Sequence, residues 1–247
     1  MFDSFLKLIG NYIFVQACLV LFALPFYLLY RRKHIKAENK DFGFNWHMEN
    51  FFSSRYANWL VFFWAAGEAL AWFIIPEFLL LLLVFMRIRR KRELLYYDIY
   101  GTTAGTLAAY LIHLSPAAVA KLPYIQPSMV KQVQVWYDSH GILGMIFQPF
   151  SGVPYKVFTY LAADYHLFLP AFLIFAVLVR ISRYYIAYII LSSIYPYLHK
   201  YVYRNYLRLL IAATFIFSLM LYKVYHAYGP SRHIIDAVMV HLRLFDL

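Results

Sequence analysis

Long apolar runs separated by short basic stretches set the pattern of this chain. The first run, Tyr12 to Tyr30, is followed at once by Arg31, Arg32 and Lys33. Only Lys7 precedes it among basic residues, and no small-residue cleavage pattern follows. It therefore reads as a retained anchor rather than a cleaved signal. Residues 31–58 form a polar connector in which Phe42, Phe44, Trp46, Phe51 and Phe52 alternate with charges, a pattern that suits the membrane interface. The next run, Trp59 to Met86, contains just two charges, Glu68 and Glu77, and is interrupted by Pro76. As one straight helix it would reach about 42 Å at 1.5 Å per residue, against a hydrocarbon core of about 30 Å. Arg31, Arg32, Lys33, Lys36 and Arg55 lie before it, and Arg87, Arg89, Arg90, Lys91 and Arg92 after it. Positive flanks place both ends on the cytoplasmic side, so the pattern predicts a re-entrant helical hairpin over 57–86 with its turn near Phe73–Pro76. A tilted, kinked single span is the competing solution.

The pattern then repeats. Leu94 to Leu114 predicts a full crossing, with Gly101, Gly105 and Ala109 at four-residue spacing on one face for close helix packing. Residues 115–140 read as a Pro-interrupted loop with an amphipathic stretch. Gly141 to Ala163 is a second apolar run, broken by Pro149, Gly152 and Pro154 and carrying Lys156 as its charge. The pieces are too short to span, which predicts a second hairpin, over 141–163, entering from the opposite side. A crossing over 167–194 carries Arg180 and Arg183, the basic residues Lys200, Arg204 and Arg208 come next, and a last crossing runs from about Leu207 to Tyr228. In the tail, Ile234, Ile235, Val238 and Leu242 have helical spacing, as in an interfacial helix. The predicted fold is an all-α polytopic membrane protein, with two opposed re-entrant hairpins plus transmembrane helices in an inverted-repeat arrangement. Its blocks are 1–56, a 57–195 core and 196–247. Broken helices in corresponding halves point to a binding site near the midplane.

Composition agrees with a bilayer setting. Hydrophobic residues make up 63% of the 247 residues and charged residues 14%, where a soluble domain carries about a quarter charged. Mean hydropathy is +0.59. The formal net charge of +11 comes from basic clusters between apolar runs, which fits cytoplasmic loops better than nucleic-acid binding. Cys18 is the one cysteine, so neither a disulfide framework nor a Cys metal site is available. The His residues show no metal-ligand spacing, and no Walker A loop is present. Ser231, Arg232, His233, His241 and Asp246 have the wrong spacing for a type-2 phosphatidate phosphatase, whose earlier motifs are also missing. Neither an enzyme nor a cofactor is expected.

The chemistry-bearing residues sit at membrane depth. Glu68 and Glu77 converge if the chain turns near Pro76, and each needs a partner, water or a proton. Lys156, Arg180 and Arg183 are the candidate partners, the two arginines sharing a helix face at i, i+3. Buried ion pairs that fix the hairpins are one reading, and a polar cavity admitting a charged headgroup or a proton is the other. Arg suits bidentate phosphate contact and Lys a point-charge contact.

Several of these segments together resemble one family. The stretch from Glu68 to Pro76-Glu77, then Gly101-Thr102-Thr103-Ala104-Gly105, Trp136-Tyr137 with Gly141, Pro149 with Pro154-Tyr155-Lys156-Val157-Phe158, and Arg180-Ile181-Ser182-Arg183-Tyr184 resemble, in this order, the DedA (VTT-domain, SNARE-associated) membrane proteins, closest to the YqaA-type branch. The resemblance covers roughly residues 57–195. It implies a carrier that moves a phospholipid or undecaprenyl phosphate between leaflets, linked to the proton-motive force, in a bacterial inner membrane. It also implies acidic roles for Glu68 and Glu77 and basic roles for Lys156, Arg183 and Arg180. The departure is Ala162-Ala163-Asp164 where the family pattern has Ala-Ala-Gly. Asp164 is expected either to cap the next helix or to alter the cavity's charge. By analogy with eukaryotic relatives, the terminal helices are expected to recruit a partner such as a bridge-like lipid-transfer protein; a homo-oligomer is the alternative. Three functions follow as expectations: a lipid scramblase or flippase, a proton-coupled small-solute transporter, and a structural subunit of a larger membrane assembly.

Overall fold

The computed structural model describes residues 2–34, 43–74 and 91–228. Among these the regular structure is all helix, with no strand, and three helices are long and apolar enough to cross a membrane. Those helices are α1 (Phe2–His34), α9 (Leu169–Arg204) and α10 (Tyr206–Ala227). Pro76, Glu77, the second limb of the expected first hairpin (75–86), the basic stretch 87–90 and the tail 233–247 lie outside the described residues.

α1 continues through Pro25, and its exposed Ile13, Leu21 and Leu29 leave a broad apolar surface. α2 (Phe44–Phe52) turns the connector into a short helix that buries Phe51 and Phe52 against Tyr27 and Tyr30 of α1. Asn45 donates to the Tyr203 carbonyl at 2.6 Å, and Tyr203 donates to Glu49 at 3.2 Å, so α2 also holds the end of α9.

α3 (Arg55–Leu70) and α4 (Lys91–Ile112) are the most closely packed pair. The cause is legible atom by atom. A Cβ on Gly101 would lie 2.2 Å from the Phe62 carbonyl oxygen, and one on Gly105 would lie 2.5 Å from that of Ala66. Both positions must lack a side chain for the two backbones to meet. α3 stops at Leu70, ahead of the turn expected near Phe73–Pro76. The N–H groups of Ala71 and Trp72 both turn back to the Gly67 carbonyl, at 2.8 and 2.6 Å, and the chain leaves the helix there.

The segment 115–140, expected as a Pro-interrupted loop with an amphipathic stretch, is mostly helical: α5 (Pro116–Val119) and α6 (Pro127–His140). Pro116 and Pro127 both occupy the first helical turn, where the missing N–H costs nothing and the fixed φ favours initiation. The prolines therefore start helices instead of breaking them. A 3₁₀ stretch over Gly141–Phe147 leads to α7 (Gln148–Ser151), which ends at Gly152 in the left-handed region (φ 72°). Pro154 then precedes α8 (Tyr155–Asp164).

α8 is the centre of one of two apolar cores. Tyr155 through Ala163 are all buried, with Val157, Phe158 and Leu161 packed among residues of α6 such as Val133 and Trp136. Ten residues make about 15 Å of helix, half the hydrocarbon thickness. The other core joins α1, α2, α3 and the start of α10, with Trp64, Phe52 and Tyr206 inside it. α10 packs along α1, where Asn11 donates to the Ser218 carbonyl at 3.0 Å.

The α3–α4 contact yields a direct check. Replacing Gly105 by Leu should lower stability by at least about 1–3 kcal/mol through overpacking, read as a fall in the unfolding midpoint in detergent. Gly10, with nothing within 4 Å of its would-be Cβ, should accept Ala with no loss.

Candidate functional site

The end of α3 is where the buried charges gather. Glu68 lies in the last turn of α3 and Arg180 in the first half of α9, and they form an ion pair between Glu68 Oε2 and Arg180 Nη2. Glu68 is 4% exposed and Arg180 1%. A lone charge at such a site would be costly, and removing either partner would strand the other. The sequence left Lys156, Arg180 and Arg183 open as partners of Glu68; among the described residues the partner is Arg180.

Aromatic groups complete the cage. The Arg180 guanidinium stands over the Tyr155 ring at 4.8 Å and the Tyr184 ring at 5.0 Å, and its Nε–H donates to the Tyr184 hydroxyl at 3.0 Å. Cation–π contacts of this kind stabilise a cation shielded from water. Tyr155 is held in turn by Thr106 of α4, at 2.7 Å between hydroxyls. Thr106 also donates to the Thr102 carbonyl at 2.7 Å, which leaves Tyr155 as the donor to Thr106. Four helices thus converge on one ion pair: α3, α4, α8 and α9.

Lys156 has different work. Its side chain is fully buried, and Nζ donates to the carbonyls of Ala71 and Pro123, both at 2.9 Å. Three residues on, Thr159 donates to the Ala69 carbonyl at 3.0 Å. Both side chains supply donors to carbonyls at the C-terminal end of α3, which lack partners in their own helix. A cation there also complements the negative end of the helix dipole. Lys156 therefore ties the end of α3, the loop before α6 and α8 together. Among the described residues it meets no carboxylate.

Asp164 corrects an expectation. It is the last residue of α8; α9 is capped by Phe168 with no side-chain hydrogen bond. Asp164 instead accepts from, or pairs with, His113 Nε2 at 2.6 Å, at the far end of α4 and outside the clefts described next. The turn Tyr165–His166, with φ of 48° at His166, separates Asp164 from α9, so its carboxylate cannot reach the α9 amides as a cap would.

Two clefts open beside this cluster. The first, of about 470 Å³, is lined by Glu68, Trp72, Phe73, Gln148, Pro149, Gly152, Val153, Pro154, Tyr155 and Arg183, with Ala213, Ile216, Phe217, Met220, Leu221 and Val224 of α10 as its opposite wall. Pro149, which the sequence marks as a breaker but which lies in the first turn of α7, shapes its edge together with Gly152 and Pro154. The second, of about 440 Å³, is lined by Ile146, Pro149, Phe150, Leu178, Val179, Ser182, Arg183 and Ile186. Pro149 and Arg183 belong to both. Trp72 Nε1 and Gln148 Oε1 are buried and have no hydrogen-bond partner among the described residues. α10 is fastened across the first cleft: Tyr228 donates to the Ser151 carbonyl, and Ser128 donates to the Tyr228 carbonyl.

Several of these residues escaped sequence reasoning. Asp98, Thr102 and Thr106 are buried at four-residue intervals along α4, and that spacing marks one helix face. It is the same signal that picked out Gly101 and Gly105. Tyr184 follows Arg180 by one helical turn on α9, whereas Tyr155, Trp72 and Gln148 carry no periodic signal and are defined by tertiary contacts. Comparisons with family models, with curated proteins and with solved structures find no match to this chain.

The ion pair can be tested by a double-mutant cycle. Glu68→Gln and Arg180→Met should each destabilise the fold by about 3–5 kcal/mol. The double variant should recover much of that loss, giving a coupling energy of at least about 1 kcal/mol, read from unfolding midpoints in detergent.

Proposed function

We propose that this chain is a lipid carrier of the DedA (VTT-domain) type, moving a phosphate-bearing lipid between the leaflets of a bacterial inner membrane. In this reading α3 with its following limb, and the 141–163 segment, are the opposed re-entrant hairpins of an inverted repeat. The observation that carries it is the position of Arg183 at the junction of two apolar clefts, beside a buried Glu68–Arg180 pair. A cation next to an apolar passage is what a phosphate headgroup needs to leave the water–lipid interface. No bond-making step and no cofactor enter the reading.

The charged residues divide the work. Arg183 is the headgroup contact. Glu68 and Arg180 form the wall behind it, and protonation of Glu68 would dissolve their pair and turn Arg180 into a second anion contact. Proton coupling enters at that point. Lys156, with both bonds to backbone carbonyls, holds the broken helix in place. A structural subunit of a larger lipid-transport assembly is the second reading. It is favoured by the buried Glu68–Arg180 ion pair and by α10 lying fastened across the first cleft.

Reconstitution in phosphatidylethanolamine–phosphatidylglycerol vesicles with headgroup-labelled phosphatidylglycerol separates the two. The carrier reading expects the purified chain to accelerate exchange of label between leaflets. Arg183→Gln should slow that exchange about tenfold, the size of one lost charge-assisted hydrogen bond. Lys156→Met should chiefly lower the unfolding midpoint. A folded wild-type chain that moves no lipid rejects the carrier reading and leaves the subunit reading.

A further inference from the structure

We propose that the two clefts flanking Arg183 form one site for a two-chain lipid, with one acyl chain in each cleft and the phosphate on the Arg183 guanidinium. This deepens the carrier reading and rests on it for the ligand being a membrane lipid. Three observations fit the parts of such a molecule together.

The first is the geometry of the walls. Each cleft has a volume, about 470 and 440 Å³, within the range of about 300–1,000 Å³ that holds a small ligand. Each suits one chain better than a whole two-chain lipid. Phe217, Met220 and Val224 face the first cleft, and Leu178, Val179 and Ile186 the second. Pro149 is the shared ridge, and Phe150 beside it is 89% exposed. A ligand with one chain in each cleft would branch beside that ridge.

The second is the charge at the branch point. Arg183 is the one charged residue lining both clefts. A guanidinium carries five N–H donors in a planar fork and so can serve a phosphate as well as a protein partner. A glycerophospholipid branches into two chains next to its phosphate, the same topology in the ligand.

The third is the pair of unmatched polar atoms in the first cleft. Among the described residues Trp72 Nε1 is a donor with no acceptor, and Gln148 Oε1 is an acceptor with no donor, in a residue only 2% exposed. Buried polar atoms are rarely left so. An ester carbonyl satisfies the first, and a headgroup hydroxyl satisfies the second. A plain hydrocarbon satisfies neither. The site also gives α10 a role, since this helix supplies the outer wall of the first cleft and so bears on which lipid is taken.

Native mass spectrometry of the full chain in detergent tests the proposal with three probes: dioleoyl phosphatidylglycerol, one-chain lysophosphatidylglycerol and phosphate-free dioleoylglycerol. The two-chain phosphate lipid should bind about tenfold or more tightly than either of the others, the scale of one charge-assisted contact. Arg183→Gln should erase its advantage over dioleoylglycerol, and Arg183→Lys should keep part of it. Val179→Trp and Ala213→Trp, which fill one cleft each, should erase its advantage over the one-chain lipid while helix content stays unchanged. Equal binding of one-chain and two-chain lipid by the wild type would overturn the proposal. So would an intact preference for phosphate in a folded Arg183→Gln chain. Binding in this manner with no transport in vesicles would keep the site and reject the carrier reading; transport with no two-chain preference would do the reverse.

Discussion

Burying an ion pair where water cannot follow is the constraint on which this structure depends. Glu68 and Arg180 lie more than a hundred residues apart in the chain, and both are buried. The desolvation penalty for two such ions is several kcal/mol each, and their attraction offsets it only with good geometry and further hydrogen bonds. The surroundings supply part of these. Tyr155 and Tyr184 present ring faces, Tyr184 accepts from Nε, and Thr106 holds Tyr155 in position. Shifting α3 or α9 by one residue would remove the pair and leave both charges stranded. The pair therefore selects a register between helices more than it adds net stability.

A second group of contacts secures the helix that carries Glu68. α3 ends against α8, and its last carbonyls have no partner within their own helix. Thr159 and Lys156, one turn apart on α8, donate to the carbonyls of Ala69 and Ala71. On the other side, Gly101 and Gly105 let α4 touch the α3 backbone at Phe62 and Ala66. The helix end is thus fixed from two directions, and the first cleft opens beside it. The three buried or half-buried cations among the described residues consequently do three jobs: Lys156 closes a helix end, Arg180 neutralises Glu68, and Arg183 faces the clefts.

Hydropathy alone carried much of the architecture. The last crossing, expected from about Leu207 to Tyr228, is α10 at Tyr206–Ala227, because a long apolar run with basic flanks has few other solutions. α9 extends beyond the expected Ile194 to Arg204, since Pro196 is accommodated within the helix and the tyrosines after it keep an apolar surface. The segment 115–140 was harder to read. Proline reads as a breaker in a one-dimensional pattern, yet at the first turn it starts a helix, and only the backbone distinguishes the two. The cluster around Glu68 was legible in kind but not in pairing. Spacing can say that Arg180 and Arg183 lie three residues apart; it cannot say that one turns inward to Glu68 while the other lines two clefts. Asp164 shows the same limit, because a carboxylate near a helix start invites a capping role, whereas a left-handed turn at His166 carries the chain away.

The pairing with Arg180 requires Glu68 to be an ionised carboxylate in the protein interior. Infrared difference spectroscopy on chain labelled with ¹³C-carboxyl glutamate, in vesicles at neutral pH, reads this directly by comparing wild type with Glu68→Gln. The substitution should remove intensity from the carboxylate stretching bands and leave the protonated-acid region unchanged. Loss of a protonated carboxylic-acid band instead would show a neutral Glu68 and contradict the ion pair.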